Sequence, residues 1–319
     1  MVAGPSIPSL RLHSGTGNNL NFHQLYIFYA VASHHSFSRA AEALEISQPA
    51  VSIQIQELER NIGSTLFHRR TRDLRITDVG EVVLAYAQQI FSLSSKLLNA
   101  IDELQGLQSG HLTLGASTTP GEFVLPVGVG KFRQIHPGVQ VEMFIGNSRS
   151  ITQRMLNQEI DLGMVGSRPT AHAADLEIIE YLNDEIVLVA APDHPISQSP
   201  RVTMQQVLDA GLIVREAGSA TRDTAERYLK DQGLNPRAAL ELGSNQAVKQ
   251  AAAAGGGVGV ISKLGVAAEV KSNMLKVLNV QGWHCRRNLY LIYPKNRYLS
   301  PAQTAFLQFL QSEQLVPDA

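Results

Sequence analysis

Between residues 47 and 59 the chain reads SQPAVSIQIQELE, and four of its side chains are suited to reading polar edges: Gln48, Ser52, Gln54 and Gln56. A carboxamide offers a donor and an acceptor side by side, which matches an adenine edge, and a seryl hydroxyl can meet a base or a phosphate. All four lie off the apolar stripe Val51, Ile55, Leu58, spaced i, i+4, i+7, so a helix here buries one side and presents the polar one. Ser47 is placed to cap that helix, and Pro49 falls in its first turn, where a missing N–H costs nothing.

The elements that must hold this helix lie just upstream. Phe22, Leu25, Phe28 and Val31 recur at steps of three and form an apolar helical face. Ser36 or Ser38 can cap a second helix with Phe37, Ala40, Ala41 and Leu44 facing inward, and Glu45-Ile46 makes the turn. Two short helices joined tightly, the second polar on one side, form an element that fits the DNA major groove. Amphipathic helix pairs also make ordinary corners in helical proteins. What separates the two readings is the sequence that follows. Leu66 and Phe67 can close a small core, and His68-Arg69-Arg70-Thr71-Arg72 with Arg75 forms a basic cluster broken only by Asp73. A hairpin "RTRDLRIT" in this place has the make-up of a wing, its arginines set against phosphate or a minor groove.

The stretch FHQLYIFYAVASHHSFSRAAEALEISQPAVSIQIQELERNIGSTLFHRRTRDLRITDVGEVVL closely resembles the DNA-binding domain of LysR-type transcriptional regulators. It carries the signature SFSRAAEAL, SQPAVSxQIxxLE and LFxR nearly without gaps. It departs at Ile76-Thr77-Asp78, where the family usually has Leu-Thr-x-Ala-Gly. The resemblance implies DNA contacts at Ser38, Gln48, Pro49, Ser52, Gln54 and Arg69, with wing contacts near Arg72 and Arg75. Ser36, Gln56 and Arg70 complete the candidate set.

The chain has 319 residues, 44% hydrophobic and 17% charged, with a net charge of −1. That is the make-up of an ordinary soluble protein with room for about two domains or more. Residues 21–85 hold six arginines (39, 60, 69, 70, 72, 75) against seven acids (42, 45, 57, 59, 73, 78, 81). Phosphate attraction must therefore come from the cluster at 69–75, not from bulk charge. The single cysteine, Cys285, cannot form an internal disulfide, and nothing marks it as an activated thiol. There is no apolar run of 18 residues, and residues 1–20 lack the apolar core of a signal peptide, so a cytoplasmic protein is expected.

From Asp78 to about Gly106 there is no proline, and Asp78 with Glu81 has capping-box spacing. Val83, Tyr86, Ile90, Leu93, Leu97, Ala100, Leu104 and Leu107 alternate steps of three and four, a heptad seam. A helix over these residues spans about 43 Å, more than one small winged domain covers. The expectation is a dimerising linker helix, as the resemblance also implies. Two copies present two readers to half-sites a whole number of DNA turns apart, hence a pseudo-palindromic operator and a homodimer or homotetramer.

After Gln108-Ser109-Gly110 the pattern becomes strand–helix alternation: strands HLTLGAS, VQVEMFIGNS, DLGMVGS, EIVLVAAP, LIVREAGS, AALELGS, GVGVIS and NLYLIYP, with helices at 120–135, 151–158, 203–210, 221–232, 245–254 and 301–312. Alternation of this kind implies parallel sheets wrapped by helices, here in two blocks. The expected fold is α/β with an N-terminal all-α winged helix-turn-helix. The organisation is 1–20 as a flexible N-terminal extension, 21–77 as the winged helix-turn-helix, 78–108 as the linker helix and 109–319 as an effector domain. Within the last, lobe I covers about 109–187 and 288–319, and lobe II about 188–287. This resembles the effector domain of the same family, with its periplasmic-binding-protein-like lobes.

Four strands end in small polar residues that open a helix: Ser117-Thr118-Thr119, Asn147-Ser148, Gly218-Ser219 with Thr221, and Ser244-Asn245. Ligands of open α/β sheets bind beyond the carboxyl ends of the strands, where helix N-termini favour an anion. Gly166, Arg168 and Arg222 stand near such turns, and the arginines can make bidentate contacts to carboxylate or phosphate. GGGVGV at 255–260 lacks GxGxxG spacing, His34-His35 has no ligand partner at metal spacing, and GxSxG, Walker A and HExxH motifs are absent. The expectation is a non-enzymatic, cofactor-free and metal-free regulator of double-stranded promoter DNA, controlled by a small anionic metabolite between two lobes. The alternative is a solute-binding protein of the same two-lobed fold. LTLGASTTPGEFVLP is similar to members controlling carbon fixation or sulfur and nitrogen assimilation.

Overall fold

A computed structural model describes residues 20–68, 74–103, 110–170, 172–313 and 315. Arg69, Arg70 and Arg72 of the expected wing, Leu104 and Leu107 of the seam, the break at Gln108-Ser109 and all of the N-terminal extension but Leu20 lie outside these residues. The described residues pack as two compact units that divide between Leu93 and Ser94.

The first unit holds α1 (Phe22–His34), α2 (Phe37–Ala43) and α3 (Gln48–Ile62), followed by α4 (Asp78–Glu103), which runs past the unit's end. Each start is set by a side-chain cap: Asn21 accepts from the N–H groups of His23 and Gln24, Ser36 from Arg39, and Ser47 from Ala50. Glu45 takes the left-handed conformation in the turn (φ 55°), and Gly63 ends α3 at φ 77°. Leu25, Phe28, Val31, Ala40, Val51, Ile55, Leu58, Leu66 and Phe67 form one buried cluster. Phe22, expected on that face, is 60% exposed, because it is the first residue of α1 and has no turn ahead of it to pack on. The buried Glu59 carboxylate accepts from the N–H groups of Leu66 and Phe67, at 2.8 and 3.4 Å, and holds the chain after α3 in place.

α4 is capped by Thr77, not by Asp78: the Thr77 hydroxyl oxygen accepts from Gly80 N–H at 3.0 Å. Gly80 is required there because a Cβ would run into the Leu66 carbonyl oxygen. The helix also divides the apolar seam expected along it. Val83, Leu84, Ala87, Ile90 and Phe91 pack into the helical cluster, whereas Val79, Val82, Tyr86, Leu93, Leu97, Leu98 and Ile101 are exposed.

The second unit runs β1 (Gly110–Ser117), α5 (Thr118–Phe123), α6 (Leu125–Ile135), β2 (Val139–Gly146), α7 (Ser148–Leu156), β3 (Leu162–Val165), β4 (Leu176–Ala190), α8 (Met204–Ala210), β5 (Leu212–Arg215), α9 (Ala220–Asp231), β6 (Ala238–Leu242), α10 (Asn245–Ala253), β7 (Val258–Ser262), α11 (Ala267–Lys271), β8 (Lys276–Val277), β9 (Arg286–Pro294) and α12 (Pro301–Ser312). The single helix expected over 120–135 is two, α5 and α6, because Pro126 cannot continue a helix begun at Thr118. The strand order is β2-β1-β3-β9-β4-β7-β5-β6, with β8 on β4. The sheets are mixed, not parallel. β1 pairs β2 and β3 in parallel, and β5 does the same with β6 and β7, but β4 and β9 run antiparallel to each other and to their outer neighbours. These two strands carry the chain between the lobes: β4 pairs with β9 through Glu185 and with β7 from Ile186. One lobe packs Leu112, Leu114, Leu125, Phe132, Leu291 and Phe306; the other packs Ile186, Leu188, Val214, Leu229, Val260 and Trp283.

Candidate functional site

α3 buries Val51, Ile55 and Leu58 and turns its polar residues outward. Gln48, Pro49 and Gln56 are exposed, and Ser52 and Gln54 are half-buried. Gln48 Nε2 donates to Ser52 Oγ at 3.0 Å, so these two side chains one turn apart form a joined polar edge. α1 braces α3 through Gln24, which donates to Glu57 and accepts from Asn61. Ser36 spends its hydroxyl on the α2 cap, while Ser38 is exposed on the first turn. At the foot of the wing, Phe67 bridges Ile76, His68 N–H donates to the Arg75 carbonyl at 2.9 Å, and the Arg75 side chain is exposed.

The cleft of the second unit is built from strand ends of both lobes. Ser117, Thr118, Thr119, Asn147 and Ser148 come from one side, and Arg215, Ser219, Ala220, Thr221 and Arg287 complete the lining. Two of the four strand-end caps spend their side chains on the helix: Asn147 accepts from Ser150 N–H and Ser244 from Ala247 N–H. Ser219 makes no such bond, and Ser117 Oγ accepts from Gly166 N–H at 3.0 Å. The start of α9 therefore faces the cleft with hydroxyls and N–H groups not consumed by a side-chain cap.

Two buried arginines, unnoticed in the sequence, organise this lining. Arg215 lies at the end of β5 with its side chain 3% exposed. It donates to both Glu216 carboxylate oxygens, to Asn245 Oδ1 at 2.7 Å and, across the cleft, to Thr118 Oγ1 at 3.0 Å. Asn245 in turn donates to Glu122 of α5 at 2.9 Å, a second link between the lobes. Arg287 on β9 pairs with Asp184 on β4 at 2.8 Å and donates to Thr119 Oγ1 at 3.1 Å. Asp184 also accepts from Ser262 Oγ at 2.6 Å. These links close the cleft to about 10 Å³, room for roughly one water. An arginine at the end of an otherwise apolar strand, as in LIVRE and RRNLYLIYP, is the signal that sequence reading passed over, since a buried guanidinium needs a partner.

Other candidates lie elsewhere. Arg222 is held by Glu226 at 2.7 Å and Glu241 at 2.6 Å, carboxylates that raise its pKa, and by the Arg215 carbonyl, and it does not line the cleft. The helix repeat sets Glu226 one turn below it, which a turn-based reading could not see. Ser244 caps α10 outside the lining, and Asn245 acts through Arg215. Arg168 lines a neighbouring pocket with Gly166, and Gly218 sits at φ 89° beside Asn147.

Cys285 is buried, and that burial pushes its thiol from 9.0 up to about 12. The raised value means the folded state holds the proton more tightly, so this contribution to stability is complete below pH 9 and is lost as pH rises toward 12. Iodoacetamide at pH 8.5 is expected to leave Cys285 unmodified until denaturant is added. Rapid labelling of the native protein, read by mass spectrometry, would contradict this.

A helix-turn-helix reader together with a two-lobed α/β unit closing on a polar cleft is the plan of a ligand-responsive DNA-binding regulator. Residues 22–81 match the family model of the bacterial regulatory helix-turn-helix protein, lysR family, and residues 105–314 match the LysR substrate binding domain. The chain belongs to the LysR family of transcriptional regulators. It is 34% identical to the HTH-type transcriptional activator CmpR of Synechocystis, over 92% of this chain and 95% of that one. It is 32% identical to a RuBisCO operon transcriptional regulator of Allochromatium vinosum, over 92% and 97%. Among solved structures, the regulatory domain of Synechocystis PCC6803 CcmR in complex with 2-PG is similar at 32% identity and a TM-score of 0.59, covering 64% of this chain and 97% of that one. CbnR, a LysR family transcriptional regulator, shares the fold at 20% identity and a TM-score of 0.71, over 93% and 100%.

Proposed function

We propose that this regulator reads a promoter through Ser38, Gln48, Pro49, Ser52, Gln54 and Gln56, with Arg69, Arg70, Arg72 and Arg75 on phosphate, and that a small anionic metabolite of the 2-phosphoglycolate class sets its activity from the cleft. The observation that carries the effector reading is the cleft lining: hydroxyls and helix starts from both lobes, joined by Arg215–Thr118 and Arg287–Thr119. Glu216 and Asp184 already neutralise the two arginines. The anion is therefore held by the hydroxyls, the N–H groups at the helix starts and the remaining guanidinium N–H groups. With room for about one water, the closed cleft admits a ligand only by exchanging its inter-lobe bonds for ligand bonds. That exchange couples occupancy to lobe geometry, with allosteric coupling of about 1–3 kcal/mol.

The exposed stripe Val79, Val82, Tyr86, Leu93, Leu97, Leu98 and Ile101 is the natural face for a second copy, and α4 acts as the dimerising linker. No helix among the described residues is long and apolar enough to cross a membrane. The same reading gives the protein no catalytic residue, cofactor or metal. A solute-binding role is not favoured, because the helix-turn-helix match covers the N-terminal unit.

Calorimetric titration of the full-length protein with 2-phosphoglycolate tests the cleft. Thr119→Ala and Ser219→Ala are each expected to weaken binding about tenfold, the loss of one hydrogen bond to a charged ligand. Unaltered affinity in both variants places the effector elsewhere.

A further inference from the structure

We propose that a second anion site, for a polyanion carrying two or more phosphate groups, lies beside the cleft on the far side of Gly166 and Arg287. An open pocket of about 450 Å³ is lined there by Arg168, Arg227, Arg286, Arg287, Thr224 and Tyr290, together with Gly166 and other neighbours. This is the size range of small-molecule pockets. No carboxylate belongs to the lining, in a chain whose net charge is −1. Arg287 is neutralised by Asp184. Arg168, Arg227 and Arg286 have exposed side chains and, among the described residues, no ion-pair partner within 4 Å. The contrast with the closed cleft is chemical: its two arginines are paired, whereas three of the four in the outer pocket are not.

Three uncompensated guanidiniums around one concavity repel each other in the empty state and are relieved by a multivalent anion. A single carboxylate neutralises one of them, whereas a molecule with two phosphates engages all three and matches the forked N–H geometry twice. Thr224 on α9 and Tyr290 on β9 supply hydroxyls to orient it. The wall between the two sites is thin. Gly166 has no side chain because a Cβ would approach Arg287 Nη1 to 2.8 Å, and Arg287 itself lines both spaces. Arg168 and Arg286 project from the segments after β3 and at the start of β9, and Arg227 from α9, so the pocket draws on both lobes. Its occupant acts on the same lobe geometry as the cleft ligand.

The test is calorimetric titration of the full-length protein with inorganic pyrophosphate, in parallel with 2-phosphoglycolate. In Arg168→Ala/Arg227→Ala, pyrophosphate is expected to bind at least about tenfold more weakly while 2-phosphoglycolate binding is retained. Ser219→Ala, which alters the cleft lining alone, is expected to leave pyrophosphate binding intact. Both arginines are exposed, so their replacement is not expected to unfold the chain. Absence of pyrophosphate binding by the unaltered protein at millimolar concentration overturns the proposal. So does an unchanged affinity in the double variant, or an equal loss in Ser219→Ala. None of these outcomes bears on the cleft reading, which fails or stands on 2-phosphoglycolate alone.

Discussion

Gln48→Ala/Ser52→Ala is expected to abolish specific footprinting on the operator while leaving the fold and the melting temperature unchanged. Both side chains stand on the outward face of α3 and bond to each other, so their removal opens no cavity and strands no buried group. The core residues Val51, Ile55 and Leu58 on the opposite face stay as they are. A good bidentate side-chain contact to a base discriminates by about 1–3 kcal/mol, and Gln48 can supply one such contact per reader. A two-fold assembly loses this at each half-site. Non-specific affinity rests on phosphate contacts and should keep its salt dependence, because the arginine cluster is untouched. Operator protection on DNA flanking the protein's own gene, with salt-dependent binding to unrelated DNA as the control, reads both. Protection by the double variant at the concentration that serves the unaltered protein would sink the assignment of α3 as base reader.

Asp184→Ala is expected to cost about 3–5 kcal/mol, because it leaves Arg287 buried without its counter-charge. Asp184 is 0% exposed at its side chain and Arg287 5%, so solvent screening does little to soften the loss. Ser262 also loses its acceptor. Replacing both members, as in Asp184→Leu/Arg287→Met, should recover much of the stability, since the cost lies in the unpaired charge and not in the absent bridge. Trp283, the only tryptophan, is buried in the second unit with its indole N–H on the Ile186 carbonyl at 2.7 Å. Its fluorescence during urea unfolding therefore follows that unit and avoids mixing two transitions. A single-variant loss below about 1 kcal/mol, the range of an exposed pair, would show that the bridge is solvated in solution.

The elements of both units were legible because each rests on short-range spacing. The α3 stripe, the Ser47 cap and Pro49 in the first turn are decided within a few residues, and the chain adopts them where the pattern says. The polar strand-end residues of the cleft were also legible, since Ser117, Thr118, Thr119, Asn147, Ser148, Ser219 and Thr221 share one lining. Less was legible where one periodic stripe serves two partners. The residues of α4 read as a single seam, yet Val83 and Ile90 pack with Ala87 into the helical cluster while Tyr86, Leu93 and Leu97 stay outside. Spacing locates an apolar face and does not say what covers it.

The charged architecture needed the tertiary fold. Arg215 meets Thr118 across 97 positions, Arg287 meets Asp184 across 103, and Arg222 turns to Glu241 across 19 instead of to the cleft. Register and strand order decide such pairs. β4 and β9 pair antiparallel up to Glu185, and Asp184 faces Arg287 because the register of those two strands sets them opposite each other. Local propensity thus carried the DNA reader and the succession of strands and helices from sequence alone. The pairing of buried charges was decided by long-range register, because a guanidinium taken from water must find a partner wherever the fold brings one.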